Sequence, residues 1–287
     1  MTSTAEAVFH AEATLGEGPM WHAGGLWFVD IKRFHIHRFD PASGRSQRWD
    51  APGQVGWVLP HADGGFVAGL QTGVHRFDPD SGAFTALFDP EPGLPGNRLN
   101  DATTDPQGRI WFGSMDDGEQ AVTGRLYRFD ARGWVDSGLD PVAITNGPAI
   151  SPDGRWLYHT DTLGKRVWRV PVNDDGSLGE PGLFVEIEGE GYPDGSTVDA
   201  EGCVWIGLYC GWSARRYDPD GKLMRSIAFP VANITKIAFG GPDLGTAYAT
   251  TASKGLSAAE LAAQPEAGSL FAFDAQTVGV PVTPARI

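Results

Sequence analysis

Cysteine and basic residues are scarce in this sequence, and each shortage argues against a class of protein. Two cysteines, Cys203 and Cys210, occur among 287 residues, and their spacing matches no zinc-finger or redox motif. We therefore expect two free thiols, with a disulfide between them as the alternative. Lys and Arg number 22 against 36 Asp and Glu, which gives a net charge of −14. Because the sequence has no run of basic residues, nucleic acid and anionic membranes are poor partners.

Long apolar segments are also missing. No run of about 18 apolar residues occurs, which argues against a transmembrane helix. The first residues, MTSTAEAVFHAEATLGEG, lack a basic segment followed by an apolar one, so we predict no secretory signal and expect a cytoplasmic protein. Helical periodicity is nearly absent, except in 256-LSAAELAAQ-264, where Ser257 is a candidate cap for one or two helical turns.

Residues that form turns and pack in sheets are abundant by contrast. The chain holds 39 Gly, 21 Pro and 10 Trp, and 41% of its residues are hydrophobic. This composition favours many turns between short packed strands over a disordered chain. The sequence therefore contains enough apolar material for a large, strand-rich core.

A pattern of two short strands recurs six times along the chain. Each copy has a Gly-containing turn, an aromatic-rich strand and a second strand that mostly ends near Asp, at a spacing of roughly 40 to 48 residues, as in propeller blades. We predict an all-β fold: a six-bladed β-propeller with four-stranded blades around a central tunnel, as one domain over 1–287. A large sandwich or barrel is the alternative. The aromatic strands read 25-GLWFVD-30, 65-GFVAGL-70, 108-GRIWFGSM-115, 154-GRWLYHTD-161, 202-GCVWIGL-208 and 245-GTAYATT-251.

One position in each copy is expected on a ring around the tunnel axis, about ten or eleven residues before the centre of the aromatic strand. Four of the six residues carry a carboxylate or amide oxygen, and such a ring suits one divalent cation: Ca²⁺, Mg²⁺, Mn²⁺, Zn²⁺ or Fe²⁺. In the alternative, the acidic residues hydrogen-bond backbone amides at the tunnel mouth. Two neighbouring carboxylates repel, however, and a cation removes that penalty. In blade order the ring holds Glu17, Val55, Asn100, Asn146, Asp194 and a residue near Thr235.

The motifs around these positions resemble those of a known family. The chain is similar to the senescence-marker-protein, gluconolactonase and regucalcin family of sugar-lactone hydrolases, and most similar to its bacterial xylonolactonases and gluconolactonases. The resemblance extends over nearly the whole chain, and its motifs are weak singly but strong in this order and spacing. They read 15-LGEGPMW-21, 97-NRLNDATTDPQGRIWFGSM-115, 145-TNGPAISPDGRWLYHTDT-162, 192-YPDGSTVDAEGCVW-205 and 235-TKIAFGGPDLGTAYATTA-252.

The resemblance implies a six-bladed propeller with one divalent metal at the tunnel mouth. It implies that Glu17, Asn146 and Asp194 are the metal ligands and that Asp194 is also the catalytic base. It further implies that Arg98 and Asn100 hold oxygen atoms of the substrate. Arg98 is proposed from the resemblance alone, whereas the other four also belong to the ring derived from the repeats.

Two segments depart from the family pattern. An acidic residue that binds a sugar hydroxyl is implied after the GTM motif, but 113-GSMDDGEQ-120 has Ser in place of Thr and offers Asp116, Asp117 and Glu119 for that role. We favour Glu119. The segment 208-LYCGW-212 differs from the usual Trp-Gly-Gly pattern, so the shape of the pocket on that side stays open.

The sequence thus predicts a carboxylic-ester hydrolase that opens a sugar lactone to its aldonic acid. The metal would polarise the carbonyl, and Asp194 would take a proton from the attacking water. A small sugar lactone is the expected partner, with a pentonolactone such as xylonolactone favoured, and a monomer is expected. The alternatives are a non-enzymatic regulatory propeller that binds a divalent metal such as calcium, a propeller for protein interaction, and a hydrolase of another ester class.

Overall fold

The structure, a computed structural model, describes residues 5–287. Within this range the chain forms six antiparallel four-stranded sheets and one short α-helix. The first strands of neighbouring sheets contact one another in a closed ring, from the first sheet to the sixth and back to the first. The sheets are therefore the six blades of a β-propeller, and the predicted fold is confirmed.

Blades 1 to 5 follow the same order, in which consecutive strands run from the tunnel to the outer edge. Blade 1 contains β2 (Gly16–His22), β3 (Gly25–Asp30), β4 (His35–Asp40) and β5 (Arg45–Asp50). Blade 2 contains β6 (Val55–Pro60), β7 (Phe66–Leu70), β8 (Gly73–Asp78) and β9 (Ala83–Phe88). Blade 3 contains β10 (Asn97–Thr104), β11 (Ile110–Asp116), β12 (Leu126–Asp130) and β13 (Gly133–Asp136). Blade 4 contains β14 (Thr145–Ile150), β15 (Trp156–Asp161), β16 (Arg166–Pro171) and β17 (Gly182–Glu186). Blade 5 contains β18 (Tyr192–Val198), β19 (Val204–Tyr209), β20 (Ser213–Tyr217) and β21 (Leu223–Ala228).

Blade 6 is built from both ends of the described chain. Its three inner strands are β22 (Ile234–Gly240), β23 (Thr246–Thr251) and β24 (Leu270–Asp274), and its outer strand is β1 (Glu6–Phe9). Strand β1 pairs antiparallel with β24. This pairing joins the beginning of the chain to its last blade and closes the ring.

Burial decreases from the axis outward within each blade. Every residue of β3 and β6 is buried, whereas β5 at the outer edge is almost wholly exposed. The blades pack face to face through large apolar side chains, and the indoles of Trp57, Trp111 and Trp205 are among those fully buried. The abundance of aromatic residues noted in the sequence thus fills the space between blades.

A buried aspartate ties each of two blades together internally. In blade 5, one carboxylate oxygen of Asp199 accepts hydrogen bonds from Trp205 Nε1 at 2.9 Å and Arg216 Nε at 2.8 Å. Blade 3 repeats the bond from indole to carboxylate between Trp111 and Asp105. Since these carboxylates are fully buried, each depends on its hydrogen-bond donors to compensate for lost solvation.

Replacing Asp199 by alanine is expected to lower the free energy of unfolding by about 3–5 kcal/mol, because the change leaves Arg216 and the Trp205 indole without this partner. The matched control is Glu201→Ala, since Glu201 also pairs with Arg216 but its side chain is 60% exposed. We expect the control to cost less than about 1 kcal/mol. Denaturant unfolding followed by circular dichroism measures both, and equal losses would contradict the assignment.

The single helix within residues 5–287 confirms the prediction made for 256–264. It is α1 (Ala258–Ala263), and Ser257 caps it: the Ser257 hydroxyl accepts a hydrogen bond from Glu260 N, while the Glu260 carboxylate accepts one from Ser257 N. In the described part of the chain, no helix is long and apolar enough to cross a membrane.

Both cysteines are free thiols, as predicted. Cys203 is buried beside Met224, and Cys210 is exposed at the end of blade 5 that carries the cavity described below. The alternative of a disulfide between them is therefore wrong in this structure.

The C-terminal segment lies across one end of the tunnel. Ala285 N donates to Pro60 O at 2.7 Å, Arg286 N donates to Gly108 O at 2.9 Å, and Thr104 Oγ1 donates to Thr283 O at 2.6 Å. A cavity of about 130 Å³ remains between this segment and the later ends of the innermost strands. The early ends of those strands form the other end of the tunnel.

Candidate metal and substrate site

A cavity of about 490 Å³ opens at the early ends of the innermost strands. Strands β2, β14 and β18 each place one predicted side chain in its wall, β10 places two, and a loop of blade 3 adds one more. The structure therefore brings together residues that are far apart in the sequence. All six predicted site residues line this cavity: Glu17, Arg98, Asn100, Glu119, Asn146 and Asp194.

Irregular pairing at the start of each innermost strand positions the polar side chains. The register with the neighbouring strand shifts directly after Glu17, directly after Asn146, and between the residues that flank Asp194. Such bulges bend a strand and redirect its side chains. Gly18 and Gly147, which follow two of these residues, have φ of +55° and +69°, a backbone conformation that favours glycine. The Gly after the polar residue in GEGP and NGP is thus part of the bulge.

The two remaining ring positions do not take part in the site. Val55 is fully buried in the apolar core, and Thr235 Oγ1 donates to Gly16 O at 2.6 Å and contacts Thr250 Oγ1 at 2.8 Å. Neither residue lines the cavity. The polar residues of the ring therefore come from blades 1, 3, 4 and 5.

Glu17 and Asp194 form a buried pair of carboxyl groups, 3% and 6% exposed. Burial raises the pKa of Glu17 to about 8, and the charge of Asp101 adds to the rise. Burial also raises the pKa of Asp194 well above its usual range, and the charge of Glu17 and a hydrogen bond to it contribute. In the alternative interpretation, the acidic residues hydrogen-bond backbone amides. Glu17 makes one such bond, in which its Oε2 accepts from Gly18 N at 2.8 Å. That bond does not offset the burial of two adjacent carboxyls.

The amide of Asn146 is held in a fixed orientation. Its Nδ2 donates to Thr162 Oγ1 at 3.0 Å, and its Oδ1 accepts from Asn100 Nδ2 at 2.9 Å. Asn100 Nδ2 also donates to the backbone oxygen of Thr145 at 2.7 Å. An amide oxygen has two lone pairs, so Asn146 Oδ1 can accept from Asn100 and still serve as a cation ligand.

Arg98 is buried and held by three oxygen acceptors. Its Nε donates to Asp117 Oδ1 at 2.8 Å, and its Nη1 donates to Asn100 Oδ1 at 2.6 Å and, at 3.4 Å, to the Leu99 backbone oxygen. Burial lowers the pKa of Arg98, and the charge of Asp117 opposes that effect. Such anchoring leaves a rigid cationic group in the cavity wall.

The three acidic residues of the segment 113–120 have different roles. Asp116 shapes the loop, because Oδ2 accepts from the backbone N–H groups of Gln120 and Ala121 at 2.9 Å each. Burial alone would raise the pKa of Asp117, but hydrogen bonds from Lys32 and others, with the charge of Arg98, lower it to about 2. Of the three, Glu119 is the one that lines the cavity, as the prediction for a sugar contact requires.

The sequence reasoning missed several groups at and beneath the cavity. Lys236 Nζ donates to both carboxylate oxygens of Asp101 at 2.6 and 2.7 Å, forming an ion pair buried in the tunnel. Lys254 and Tyr209 line the cavity from blades 6 and 5. Asp101 directly follows Asn100 and Lys236 directly follows Thr235, so the alignment of the repeats could have located this pair next to two ring positions. The alignment contained no such indication for Lys254.

The chemistry of the donor set fits a hard or borderline divalent cation. Within residues 5–287, no group of three or more His, Cys, Asp and Glu side chains is arranged for a metal. The site instead combines the carboxyls of Glu17 and Asp194 with the amide oxygen of Asn146. Glu17, Asp194 and Asn146 could hold such a cation, whose charge would offset the raised pKa of both carboxyls.

The fold and the site together define a class of protein: a six-bladed β-propeller with carboxylate and amide oxygens at one end of its tunnel. Residues 15–253 match the family model described as SMP-30/Gluconolactonase/LRE-like region. The chain belongs to this family, and the resemblance found in its motifs is confirmed.

Similar proteins match nearly the full length of the chain. It is 34% identical to 6-deoxy-6-sulfogluconolactonase of Pseudomonas putida over 95% of each chain. It is 32% identical to pentonolactonase XacC of Haloferax volcanii over 97% of each. A solved regucalcin from Agrobacterium tumefaciens, described as a calcium-binding protein, superposes with a TM-score of 0.93 at 28% identity, over 100% of this chain and 97% of that one. These names agree with the predictions of a lactonase and of a divalent cation.

Proposed function

We propose that this chain hydrolyses a neutral sugar lactone to its aldonic acid with one divalent cation. The observation that carries the proposal is a single cavity lined by the carboxyls of Glu17 and Asp194, the amide of Asn146 and several hydrogen-bonding side chains. The lactonase names of two relatives support lactone hydrolysis, although one of these relatives is named for a lactone with a sulfonate group. We take a pentonolactone such as xylonolactone as the favoured substrate, because one relative is named a pentonolactonase.

Glu17, Asn146 and Asp194 would hold the cation. Bound there, a divalent cation acts as a Lewis acid toward the ester carbonyl of the lactone. The three residues lie on separate blades, whose packed innermost strands fix their relative positions. Asn100 Nδ2 donates to Asn146 Oδ1 and so helps to fix the orientation of this amide.

Asp194 is the proposed general base. Its carboxylate faces the cavity, where it takes a proton from the water that attacks the ester carbon. The ring carbon–oxygen bond then breaks, and the released oxygen takes up a proton to become a hydroxyl of the aldonic acid. In the cation-free protein, burial and the neighbouring Glu17 raise the pKa of Asp194; a bound cation would offset that rise and keep the carboxylate ionised, as a base requires.

The charges in the cavity wall favour a neutral substrate. Arg98 lies against Asp117, and Lys254 lies against Glu119, so each cationic side chain in the wall has a carboxylate partner. A divalent cation would balance the two carboxylates of Glu17 and Asp194 in the same way. A hydroxylated, uncharged lactone meets such a site without adding an unbalanced charge.

Cation affinity is expected to rise with pH. Because the pKa of Glu17 is raised from its usual 4.5 to about 8, this carboxyl holds a proton near neutral pH and must release it to bind a cation. The raised pKa also means that protonated Glu17 stabilises the cation-free protein. This contribution is complete below pH 4.5 and is lost as the pH rises through about 8. Calorimetric titration with Mn²⁺ near neutral pH, in buffers of different ionisation enthalpy, counts the protons released. A count of zero would contradict the shift.

The test of the proposed function is lactone hydrolysis on a panel of xylono-, arabino-, glucono- and galactonolactones. The protein is first treated with a chelator, and Ca²⁺, Mg²⁺, Mn²⁺, Zn²⁺ or Fe²⁺ is then restored, under anaerobic conditions, while acid release is followed. The proposal is supported if one of these ions restores the hydrolysis of one or two of the lactones. A lactone with a sulfonate group tests the preference for neutral substrates, and faster turnover of it would overturn that preference.

A second candidate is a regulatory propeller that binds a cation without catalysis. The observation in its favour is the high structural similarity to a regucalcin described as calcium-binding. This candidate needs no polyol contacts, so the buried Arg98 and Asn100 in the cavity wall count against it. Folded, cation-loaded protein that hydrolyses no lactone would favour it over the enzyme.

A further inference from the structure

An ion pair crosses the mouth of the cavity. Lys254 belongs to the loop that follows β23 in blade 6, and Glu119 belongs to the loop that follows β11 in blade 3. Lys254 Nζ contacts Glu119 Oε1. Blades 3 and 6 lie on opposite sides of a six-membered ring, so contact between their loops means that the two side chains meet over the opening.

The backbone at Lys254 is held by three separate segments. Lys254 N donates to Thr14 O at 2.8 Å, which ties the loop to the segment before blade 1. The Lys254 backbone oxygen accepts from Tyr209 Oη at 2.5 Å and from Asn233 Nδ2 at 3.1 Å. These bonds fix where the lysine side chain begins, and an exposed surface lysine has no need of such anchoring.

The partner side chain is also presented by a constrained backbone. Glu119 has φ of +58°, in the left-handed region that residues with a side chain rarely adopt. The turn is held by Asp116, whose backbone oxygen accepts from Glu119 N at 2.9 Å and whose carboxylate accepts from the next two amides. Non-glycine residues in such conformations cluster at ligand-binding sites.

The pair keeps free hydrogen-bonding capacity toward the cavity. Within residues 5–287, neither the Lys254 ammonium nor the Glu119 carboxylate makes any other hydrogen bond. The ammonium therefore retains two donors, and the carboxylate retains acceptor positions. The two side chains are 30% and 37% exposed, so their ion pair is weak and can separate at little cost.

We propose that Lys254 is a specificity-determining residue, which with Glu119 binds a hydroxyl group of the substrate remote from the ester. A hydroxyl both donates and accepts, and the pair offers a donor beside an acceptor. The cation site lies at the start of the innermost strands, whereas the pair lies over the mouth, so one lactone can reach both at once. This inference rests on the proposed function, because it names how the same site recognises its substrate.

The test compares hydroxylated and deoxygenated lactones in Lys254→Met. For the preferred sugar lactone we expect KM to rise about 10- to 100-fold with little change in kcat, as for a lost hydrogen bond to a charged group. For a lactone without hydroxyls remote from the ester, such as δ-valerolactone, we expect kcat/KM to stay unchanged. Lys254→Arg should recover part of the loss. The matched control is Lys222→Met, an exposed lysine at the outer edge of blade 5, which should change neither substrate.

Two outcomes overturn the proposal. Equal losses on both lactones would mean that Lys254 only supports the structure, and no loss on either would mean that it does not contact substrate. Binding of a non-hydrolysed sugar lactam, measured by calorimetry with Mn²⁺ present, separates this inference from the proposed function. If the wild-type protein binds the lactam but hydrolyses no lactone, the proposed function is wrong. A 10- to 100-fold weaker affinity for the lactam in Lys254→Met would still support the role of Lys254 in binding.

Discussion

Replacing Asp194 by alanine is expected to lower kcat/KM for the preferred lactone by about 10³-fold or more. The change removes the proposed base and one of two carboxylate ligands together. Because burial raises the pKa of Asp194, keeping this carboxyl in the cation-free fold costs stability at neutral pH, and its loss removes that cost. The fold should therefore remain intact, and thermal unfolding of the chelated variant should occur at or above the wild-type temperature. Steady-state hydrolysis and calorimetric unfolding measure the two effects.

Asp194→Asn separates the two roles of this residue. The amide keeps an oxygen that can act as a ligand but cannot accept the proton, so cation binding should be weakened less than hydrolysis. Asp220→Ala is the control, since Asp220 is exposed at a turn of blade 5 far from the cavity. If Asp194→Ala kept full activity while the control was unaffected, both the base and the site would be assigned wrongly.

Glu17→Gln is expected to change cation affinity and intrinsic stability in opposite directions. Removing one of two charged ligands should lower the affinity for Ca²⁺ or Mn²⁺ by about 100-fold or more, because ligand charge sets the affinity of such sites. The buried carboxyl of Glu17 has its pKa raised to about 8, so its ionisation destabilises the cation-free fold as the pH rises above 4.5. At a pH above 8 the chelated variant should therefore unfold at a higher Tm than the chelated wild type, by about 2–4 °C for each kcal/mol relieved.

The two measurements are thermal unfolding with a chelator and the increase in Tm when the cation is restored. Tm should rise more in the wild-type protein than in the variant, since the stabilisation by a bound ligand grows with the logarithm of its concentration divided by Kd. The control is Glu201→Gln, an exposed carboxylate remote from the cavity. A chelated Glu17→Gln protein that was less stable than wild type at high pH would show that this carboxyl supports the fold rather than strains it.

The fold could be predicted because a propeller repeats its sequence. Six copies of a turn and an aromatic strand specify six blades, and the same alignment places Glu17, Asn100, Asn146 and Asp194 on one ring. The ring position coincides with a bulge in the innermost strand of each blade, which explains why the alignment of turns also aligned these residues. Repetition did not show that β1 completes blade 6, because four residues at the start of the chain carry almost no pattern.

Loops carry the parts of the site that the sequence did not reveal. The sequence analysis favoured Glu119 in the segment 113–120, but it had no physical reason to prefer this residue, because the left-handed conformation of Glu119 and the bond between Arg98 and Asp117 depend on the folded loop. The position of Lys254 in the cavity wall could not be predicted from the sequence either, since its partners come from three segments that are distant in the chain. Internal symmetry predicts what the blades share, and the cavity mouth is where they differ.

The construction of blade 6 also dictates when during folding the cation site can appear. Glu17 lies in blade 1 and Asp194 in blade 5, and blade 6 sits between them in the closed ring. Since β24 must pair with β1, closure depends on a contact between strands from the two ends of the described range 5–287 and is expected to be slow. Without blade 6, blades 1 and 5 are linked only through blades 2 to 4, and no blade fixes Glu17 directly against Asp194. Closure of the ring would therefore also complete the proposed cation site.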